Sequence, residues 1–280
     1  MLAHPYFPEL LLHPDRELAA ALGTTILQRR TIHEWPLSCV QKLITDDGRS
    51  FAYKSQLPPS VEAEFYRRAS SVLLPGHREL DPVAGCTFLL IDWIDSPSLS
   101  ALTADPSELL TRGRELVDGI GAITGNLPQY LDLGTVESWG RTTEVTIAKA
   151  ATLIRDGRFS SIDQTDLHRL RGWAESVAEQ ATAGTRLING DLRADQVLIT
   201  PAGYRVLDWQ RPVITRPEVD LVSLLLAEDL EPRNWLDPLT DRIFWLIRLH
   251  WTVVAQHDLF PDAAGTYDNW ARQAVRRILD

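Results

Sequence analysis

Leu187 to Leu221, LINGDLRADQVLITPAGYRVLDWQRPVITRPEVDL, is the most informative segment of this 280-residue chain. Val197 to Thr200 and Tyr204 to Leu207 read as short strands joined by Pro201-Ala202-Gly203, a turn signal. Arg186 to Ile188 reads as a further short strand just upstream. This local pattern puts Asp191 in a loop after one strand and Asp208 at the end of the hairpin's second strand. Two loop carboxylates presented by a hairpin suit chemistry on a phosphoryl group. One accepts a proton from, or orients, an attacking hydroxyl, and the other holds a divalent cation against phosphate. Gln196, five residues after Asp191, offers an amide oxygen as a further neutral ligand.

Upstream, Ser38 to Thr45 and Arg49 to Gln56 are strand-like runs around Asp46-Asp47-Gly48, a strong hairpin turn. Leu57-Pro58-Pro59-Ser60 stops the second run, and Ser60 can cap a helix beginning VEAEFYRRASSVLL. After Pro82, Cys86 to Trp93 is a continuous apolar run fit for a buried strand. From about Pro97 the pattern turns helical, with predicted helices at about 105–124, 136–156, 163–182, 217–229, 236–257 and 266–279. The fold class is therefore α+β: a small antiparallel β lobe with one helix, residues 1–94, then a larger, mainly helical lobe, residues 95–280, with the hairpin inserted. Regular strand–helix alternation, which a doubly wound parallel sheet needs, is absent.

A net charge of -10 argues against nucleic acid as a partner and suits a cationic or neutral small substrate. The start, MLAHPYFPELLLHPDRE, has no basic region and no long apolar core, so no signal peptide is expected. The greasiest stretch, Ile243 to Val254, is interrupted by Arg248 and His250 and reads as a buried helix, so no membrane partner is expected. Cys39 and Cys86 lack paired spacing and favour a reducing cytoplasm. Among 28 basic residues only Lys42, Lys54 and Lys149 are lysine, so each needs its own explanation. Nothing in the sequence reports the oligomeric state.

The opening segment resembles the catalytic core of the aminoglycoside phosphotransferase and choline-kinase-like small-molecule kinases, which have a two-lobed protein-kinase-like fold. Gly190-Asp191, Leu207-Asp208-Trp209 and Asp220-Leu221 match that pattern in order. The resemblance implies that Asp191 is the catalytic aspartate, that Asp208 with Gln196 binds magnesium, and that Asp220 braces the catalytic loop. Arg193 would neutralise phosphate charge or make a surface ion pair. Phe51-Ala52-Tyr53-Lys54 resembles the kinase strand whose lysine pairs with the nucleotide phosphates, with Glu62, preferred over Glu64, as its helix partner. Phe88 to Trp93 resembles the strand entering the hinge, so Asp92, Trp93 and Ile94 are expected to meet the base of ATP or GTP. The active site is expected between the lobes, and the resemblance extends over residues 40 to 230 or so.

The chain departs from the family pattern at identifiable positions. Asn189 replaces the usual His, Gln196 replaces the usual Asn, and the glycine usual after the Asp-Trp segment is missing from Gln210 to Val213. The expected phosphate-covering loop, Gln28 to Ser38, has no glycine, leaving Arg29, Arg30 or His33 to supply charge. Two readings follow: a kinase of a small-molecule hydroxyl, or a catalytically inactive pseudokinase that binds nucleotide or acts as a scaffold. Glu228, Asp229, Glu231, Asp237 and Asp241 suit either a cationic acceptor or a solvated helix face. Trp235, Trp245, Trp251 and Trp270 read as core, with an aromatic acceptor wall as the alternative.

Overall fold

The computed structural model describes residues 1–102, 105–263 and 265–280. In chain order the elements begin β1 (Leu2–Ala3), β2 (Leu11–Leu12), α1 (Asp15–Leu22), β3 (Ile26–Trp35), β4 (Ser38–Thr45), β5 (Ser50–Gln56), α2 (Glu62–Arg68), β6 (His77–Val83) and β7 (Cys86–Asp92). They continue with α3 (Leu99–Leu102), α4 (Pro106–Gly121), β8 (Leu131–Asp132), α5 (Val136–Arg155), α6 (Gln164–Ala181), β9 (Arg186–Ile188), β10 (Val197–Thr200) and β11 (Gly203–Val206). The last are β12 (Val213–Thr215), α7 (Val219–Ala227), α8 (Pro238–Val254) and α9 (Thr266–Leu279).

These elements cluster into two compact units. The first holds everything to the end of α3, together with Ala122–Tyr130 and Ala194–Pro212, which includes the β10–β11 hairpin. Its main sheet is antiparallel and five-stranded, in the order β3-β4-β5-β7-β6. The β4–β5 turn is the expected one: Gly48 takes φ 80°, and the Asp47 carboxylate accepts from the Thr45 hydroxyl at 2.6 Å. Strand alternation then sorts the side chains. Cys39 and Leu43 of β4, Phe51 and Tyr53 of β5, and Phe88 and Leu90 of β7 form a core with Leu18 and Leu22 of α1. Val40, Ala52, Lys54 and Ile91 hold the intervening positions and line a cavity.

Within this sheet, the two strands that periodicity misses, β3 and β6, are the edges. Most of their residues are exposed, β6 contains Pro82, and both have register shifts, so neither shows an alternating apolar signal. The expected phosphate-covering loop is therefore mostly strand, with Pro36 and Leu37 at its turn. Helix α2 is also shorter than expected: it stops at Arg68, and Ser70 instead exchanges backbone hydrogen bonds with Thr124.

In the second unit β12 lies centrally in a three-stranded sheet, parallel to β8 and antiparallel to β9. Capping boxes at Thr135 and Asp163 start α5 and α6, and Asp237 caps α8. No described helix is long and apolar enough to cross a membrane. Helix α7, which carries Asp220, packs on α4 where Gly113 allows close approach. A Cβ there would come within 2.8 Å of Leu221 and Leu224, both buried. Gly113→Val is expected to lower stability by about 1–3 kcal/mol through overpacking, measured as a shift in the urea midpoint with unchanged slope.

Candidate functional site

In the first unit, strand alternation aims Lys54 of β5 away from the Phe51 and Tyr53 core. Lys54 is 7% exposed, and its ammonium meets two carboxylates: Glu62 Oε2 at 2.6 Å and Asp208 Oδ1 at 3.1 Å. Glu62, fully buried in the first turn of α2, also accepts from Gln56 Nε2 at 2.6 Å and from the Trp209 backbone N–H at 3.2 Å. Glu64 instead faces Arg67 and Arg68. Glu62 thus ties the lysine strand to the Asp208-Trp209 turn, where the Trp209 ring stacks on Phe65 at 4.3 Å.

Burial disfavours the Lys54 ammonium, but the charges of Glu62 and Asp208 outweigh it and raise the lysine pKa. Burial raises the Glu62 pKa, with Lys54 offsetting only part. Asp208 is driven the other way: burial would raise its pKa, yet the Lys54 charge and hydrogen bonds from Lys54 and Gln210 lower it. Asp208 therefore stays ionised. Its backbone lies in the left-handed region at φ 63°, a conformation costing a non-glycine residue about 1–3 kcal/mol, which the surrounding bonds hold in place.

Gln196 ends a 3-10 turn (Ala194–Gln196), and its Nε2 donates to Asp208 Oδ2 at 3.0 Å. Gln196 Oε1 is buried with no hydrogen-bond partner among the described residues. One ionised carboxylate beside one unsatisfied amide oxygen fits Mg²⁺, which takes few protein ligands and completes its shell with phosphate and water. No cluster of three or more His, Cys, Asp or Glu that would make a dedicated metal cage exists among the described residues.

Above this group lies a cavity of about 650 Å³. Ile32, Val40, Ala52, Leu198 and Leu207 supply apolar walls, and Asp92, Trp93 and Ile94 form part of its rim. The Asp92 and Trp93 backbone N–H groups already donate to Gly76 and Ser50 carbonyls. Lys42 packs its ammonium over the Trp93 ring at 3.9 Å, and Lys149 pairs with Asp258 at 2.5 Å, so each of the three lysines has a distinct role. His33 lines the cavity. Arg29 does not: its guanidinium is held by Asp15, Gln41 and the His13 carbonyl.

In the second unit, β9 delivers the chain into Asn189-Gly190-Asp191. Asp220, buried in the first turn of α7, accepts from the backbone N–H groups of Asn189 at 2.8 Å and Gly190 at 2.9 Å. Asn189 Oδ1 accepts from the Asp191 N–H at 3.1 Å, and Gly190 takes φ 85°, so the loop turns sharply and presents Asp191. Burial pushes the Asp220 carboxyl up to about 7 despite its two backbone donors, and the charge of Asp191 adds to the rise.

Asp191 Oδ1 accepts from the Arg248 guanidinium and, at 3.5 Å, from the Ser223 hydroxyl. Sequence reasoning missed Arg248. Its only signal was a charge interrupting the apolar run of α8, where its guanidinium lies 5.0 Å from the Phe244 ring one turn earlier. Arg193 and Arg248 both line a second cavity, of about 360 Å³, with Trp245, Trp251 and Trp270. The residues read together from sequence thus form two groups: Lys54, Glu62, Gln196 and Asp208 with Asp92, Trp93 and Ile94 in the first unit, and Asn189, Asp191, Arg193 and Asp220 in the second.

Three of the five acidic residues considered for cation binding, Glu231, Asp237 and Asp241, have structural partners. Asp241, fully buried, pairs with Arg233 at 2.8 Å and Arg277 at 2.9 Å, and Glu231 pairs with Arg277 at 2.7 Å. Asp237 caps α8 and pairs with Arg216 at 3.2 Å.

No protein-family model and no curated protein matches the sequence. Solved structures match over almost the whole chain. The apo form of a thermostable mutant of aminoglycoside phosphotransferase APH(4)-Ia shares 15% identity, covers 95% of this chain and 98% of its own, and has a TM-score of 0.62. Spectinomycin phosphotransferase APH(9)-Ia, in complex with ADP and spectinomycin, shares 13% identity over 96% of this chain and 98% of its own, with a TM-score of 0.57. Macrolide 2'-phosphotransferase type I shares 15% identity over 95% and 98%, with a TM-score of 0.56. The fold is that of the protein-kinase-like small-molecule kinases, a small antiparallel sheet lobe and a helical lobe.

The raised Asp220 pKa has a signed consequence. The folded chain binds this proton more tightly than the unfolded chain, whose Asp titrates near 3.9. Stability is therefore expected to fall as pH rises from about 4 to 7, by up to about 4 kcal/mol, and then to level off. Asp220→Asn removes this segment. The difference between wild-type and variant urea-unfolding curves over pH 4 to 8 measures it.

Proposed function

We propose that this protein transfers the γ-phosphoryl group of ATP or GTP to a hydroxyl of a small molecule. The observation that carries the reading is the buried Lys54–Glu62–Asp208 group on the 650 Å³ cavity, with Gln196 Oε1 unsatisfied beside it. A cavity of that size, with apolar walls and with Lys54 and Asp208 in its lining, suits a nucleotide base with its phosphates. The solved relatives add support: APH(9)-Ia was crystallised with ADP and spectinomycin.

In this reading the base lies against the apolar walls. With the Asp92 and Trp93 N–H groups engaged, its edge contacts fall to Ile94 and the residues that follow. Lys54, held by Glu62, donates to phosphate oxygens. Asp208 and Gln196 would hold Mg²⁺, which neutralises charge on the phosphates when bound. Asp191 orients the acceptor hydroxyl and accepts its proton as the acceptor oxygen bonds to Pγ and the bond from Pγ to the bridging oxygen breaks, releasing the nucleoside diphosphate. Arg248 and Ser223 position the Asp191 carboxylate, and Asp220 and Asn189 shape its loop. Because the transition state is loose, positioning and charge neutralisation supply most of the acceleration. Two free buried cysteines agree with a reducing compartment such as the cytoplasm.

A specific arrangement favours the second reading, a pseudokinase. Both Asp208 oxygens already accept donors, from Lys54 and Gln210 on one side and Gln196 on the other, and Asp191 is ion-paired. Thermal unfolding separates the two. With magnesium and ATP or GTP, the kinase reading expects a rise in the midpoint, equivalent to about 2.7 kcal/mol at a hundredfold excess over Kd, that is lost in Asp208→Ala. Asp191→Asn is expected to keep the rise and to lose about 10²–10⁴-fold in nucleoside-diphosphate release with an acceptor present. No rise with either nucleotide in a folded wild-type protein selects the pseudokinase.

A further inference from the structure

Neighbouring residues of a strand point to opposite faces, yet Ile32 and His33 of β3 both line the cavity that holds Lys54. A bulge explains this. Thr31 pairs with Gln41 of β4 and His33 with the adjacent Val40, so Ile32 is an extra residue in the register. Before the bulge, Arg29 and Thr31 face the other side of the sheet, where both bond to Gln41 and the Arg29 guanidinium lies 5.4 Å from the Tyr53 ring. Strict alternation would place His33 there as well. The extra residue turns it onto the cavity face instead. Glu34 then takes the far side, where it pairs with His4 at 3.2 Å.

The register sets His33 across from Lys54. His33 pairs with Val40 and Val40 with Lys54, so the three form one cross-strand row, and all three line the cavity. Two strand spacings, about 10 Å, separate the ends of that row, so two long side chains there can close on a group between them. The next row on this face, about 7 Å along the strands, runs through Lys42, Ala52 and Ile91. Ala52 and Ile91 are apolar cavity walls, while Lys42 turns to the Trp93 ring. An apolar row thus adjoins a row with a basic side chain at each end. His33 and Lys54 are the basic side chains of the lining, and its carboxylates, Asp92, Asp95, Asp195 and Asp208, stand outside their row. Lys54 is matched by Glu62 and Asp208, whereas the exposed His33 ring has no hydrogen bond or ion pair among the described residues.

Gln28 to Ser38 has no glycine, so this edge of the cavity lacks the bare backbone that lets N–H groups approach a phosphate closely. A side chain can make that approach in its place. We infer that His33, turned inward by the bulge at Ile32, binds the phosphate chain of the nucleotide through its ring N–H, from the side opposite Lys54. This assignment rests on the nucleotide reading of the cavity and needs no phosphoryl transfer. A charge series at position 33 tests it: His33→Arg, His33→Ala and His33→Glu in the full-length protein. Calorimetric titration at fixed magnesium compares ATP with adenosine and GTP with guanosine. His33→Arg is expected to bind nucleotide within about threefold of wild type, His33→Ala about fivefold more weakly and His33→Glu at least about tenfold more weakly. Nucleoside affinity is expected to change less than about twofold, because nucleosides lack the phosphate that His33 meets. The unliganded melting midpoint is expected to stay unchanged, as the ring is exposed.

The inference is overturned if His33→Glu binds nucleotide as tightly as wild type, or if nucleoside and nucleotide lose affinity by the same factor. If neither nucleotide binds the wild type, this assignment and the phosphotransferase reading fall together. If nucleotide binding is lost in Asp208→Ala yet indifferent to position 33, the phosphotransferase reading stands and this assignment falls. If the charge order holds while Asp191→Asn releases nucleoside diphosphate as fast as wild type, the assignment stands and the transfer mechanism falls.

Discussion

A buried ammonium between two carboxylates organises the first unit. Lys54 is nearly inaccessible, so its charge survives only because Glu62 and Asp208 lie within hydrogen-bond reach. The arrangement recruits the backbone as well. Glu62 accepts the Trp209 N–H, which helps hold Asp208 in a left-handed conformation that an aspartate would otherwise avoid. A single fully buried glutamate therefore fixes a strand, a helix and a turn against one another. Of the two carboxylates, Asp208 is the one whose pKa the Lys54 charge and its hydrogen bonds lower, and it lies beside the unsatisfied Gln196 oxygen.

The second unit solves a related problem differently. The Asn189-Gly190-Asp191 loop is too tight to satisfy its own N–H groups, so Asp220 reaches in from the first turn of α7 and accepts two of them. That carboxylate lies so deep that burial outweighs its two donors, which is why a structural residue titrates near neutrality. Asn189 completes the loop by accepting the Asp191 N–H, a short-range bond open to any side chain with a well-placed acceptor. Gln196 acts over a similarly short span, its amide reaching Asp208.

Charge is distributed according to burial more than to overall composition. The chain is acidic, which by itself suggested affinity for cations. Yet Glu231 and Asp241 are spent on arginines that hold α8, α9 and the intervening turn. Net charge describes the solvated surface, while a site's preference is set by the few groups that remain within a partly desolvated cavity.

What the amino-acid order by itself determined was the local structure. The β4–β5 hairpin follows from Asp46-Asp47-Gly48, the helices from apolar spacing and caps such as Thr135 and Asp163, and the two aspartate loops from turn chemistry within a few residues. Such signals act over one or two turns of chain, so they are readable without a fold. The edge strands β3 and β6 escaped because strands exposed on both faces need no apolar alternation. Only the tertiary structure decided which charges meet. Arg248 reaches Asp191 from 57 residues away, Arg277 reaches Asp241 from 36, and Glu62 rather than Glu64 faces Lys54 because one rotation of α2 points it inward. Those pairings depend on how helices are turned against strands, a property of packing that no short stretch of sequence contains.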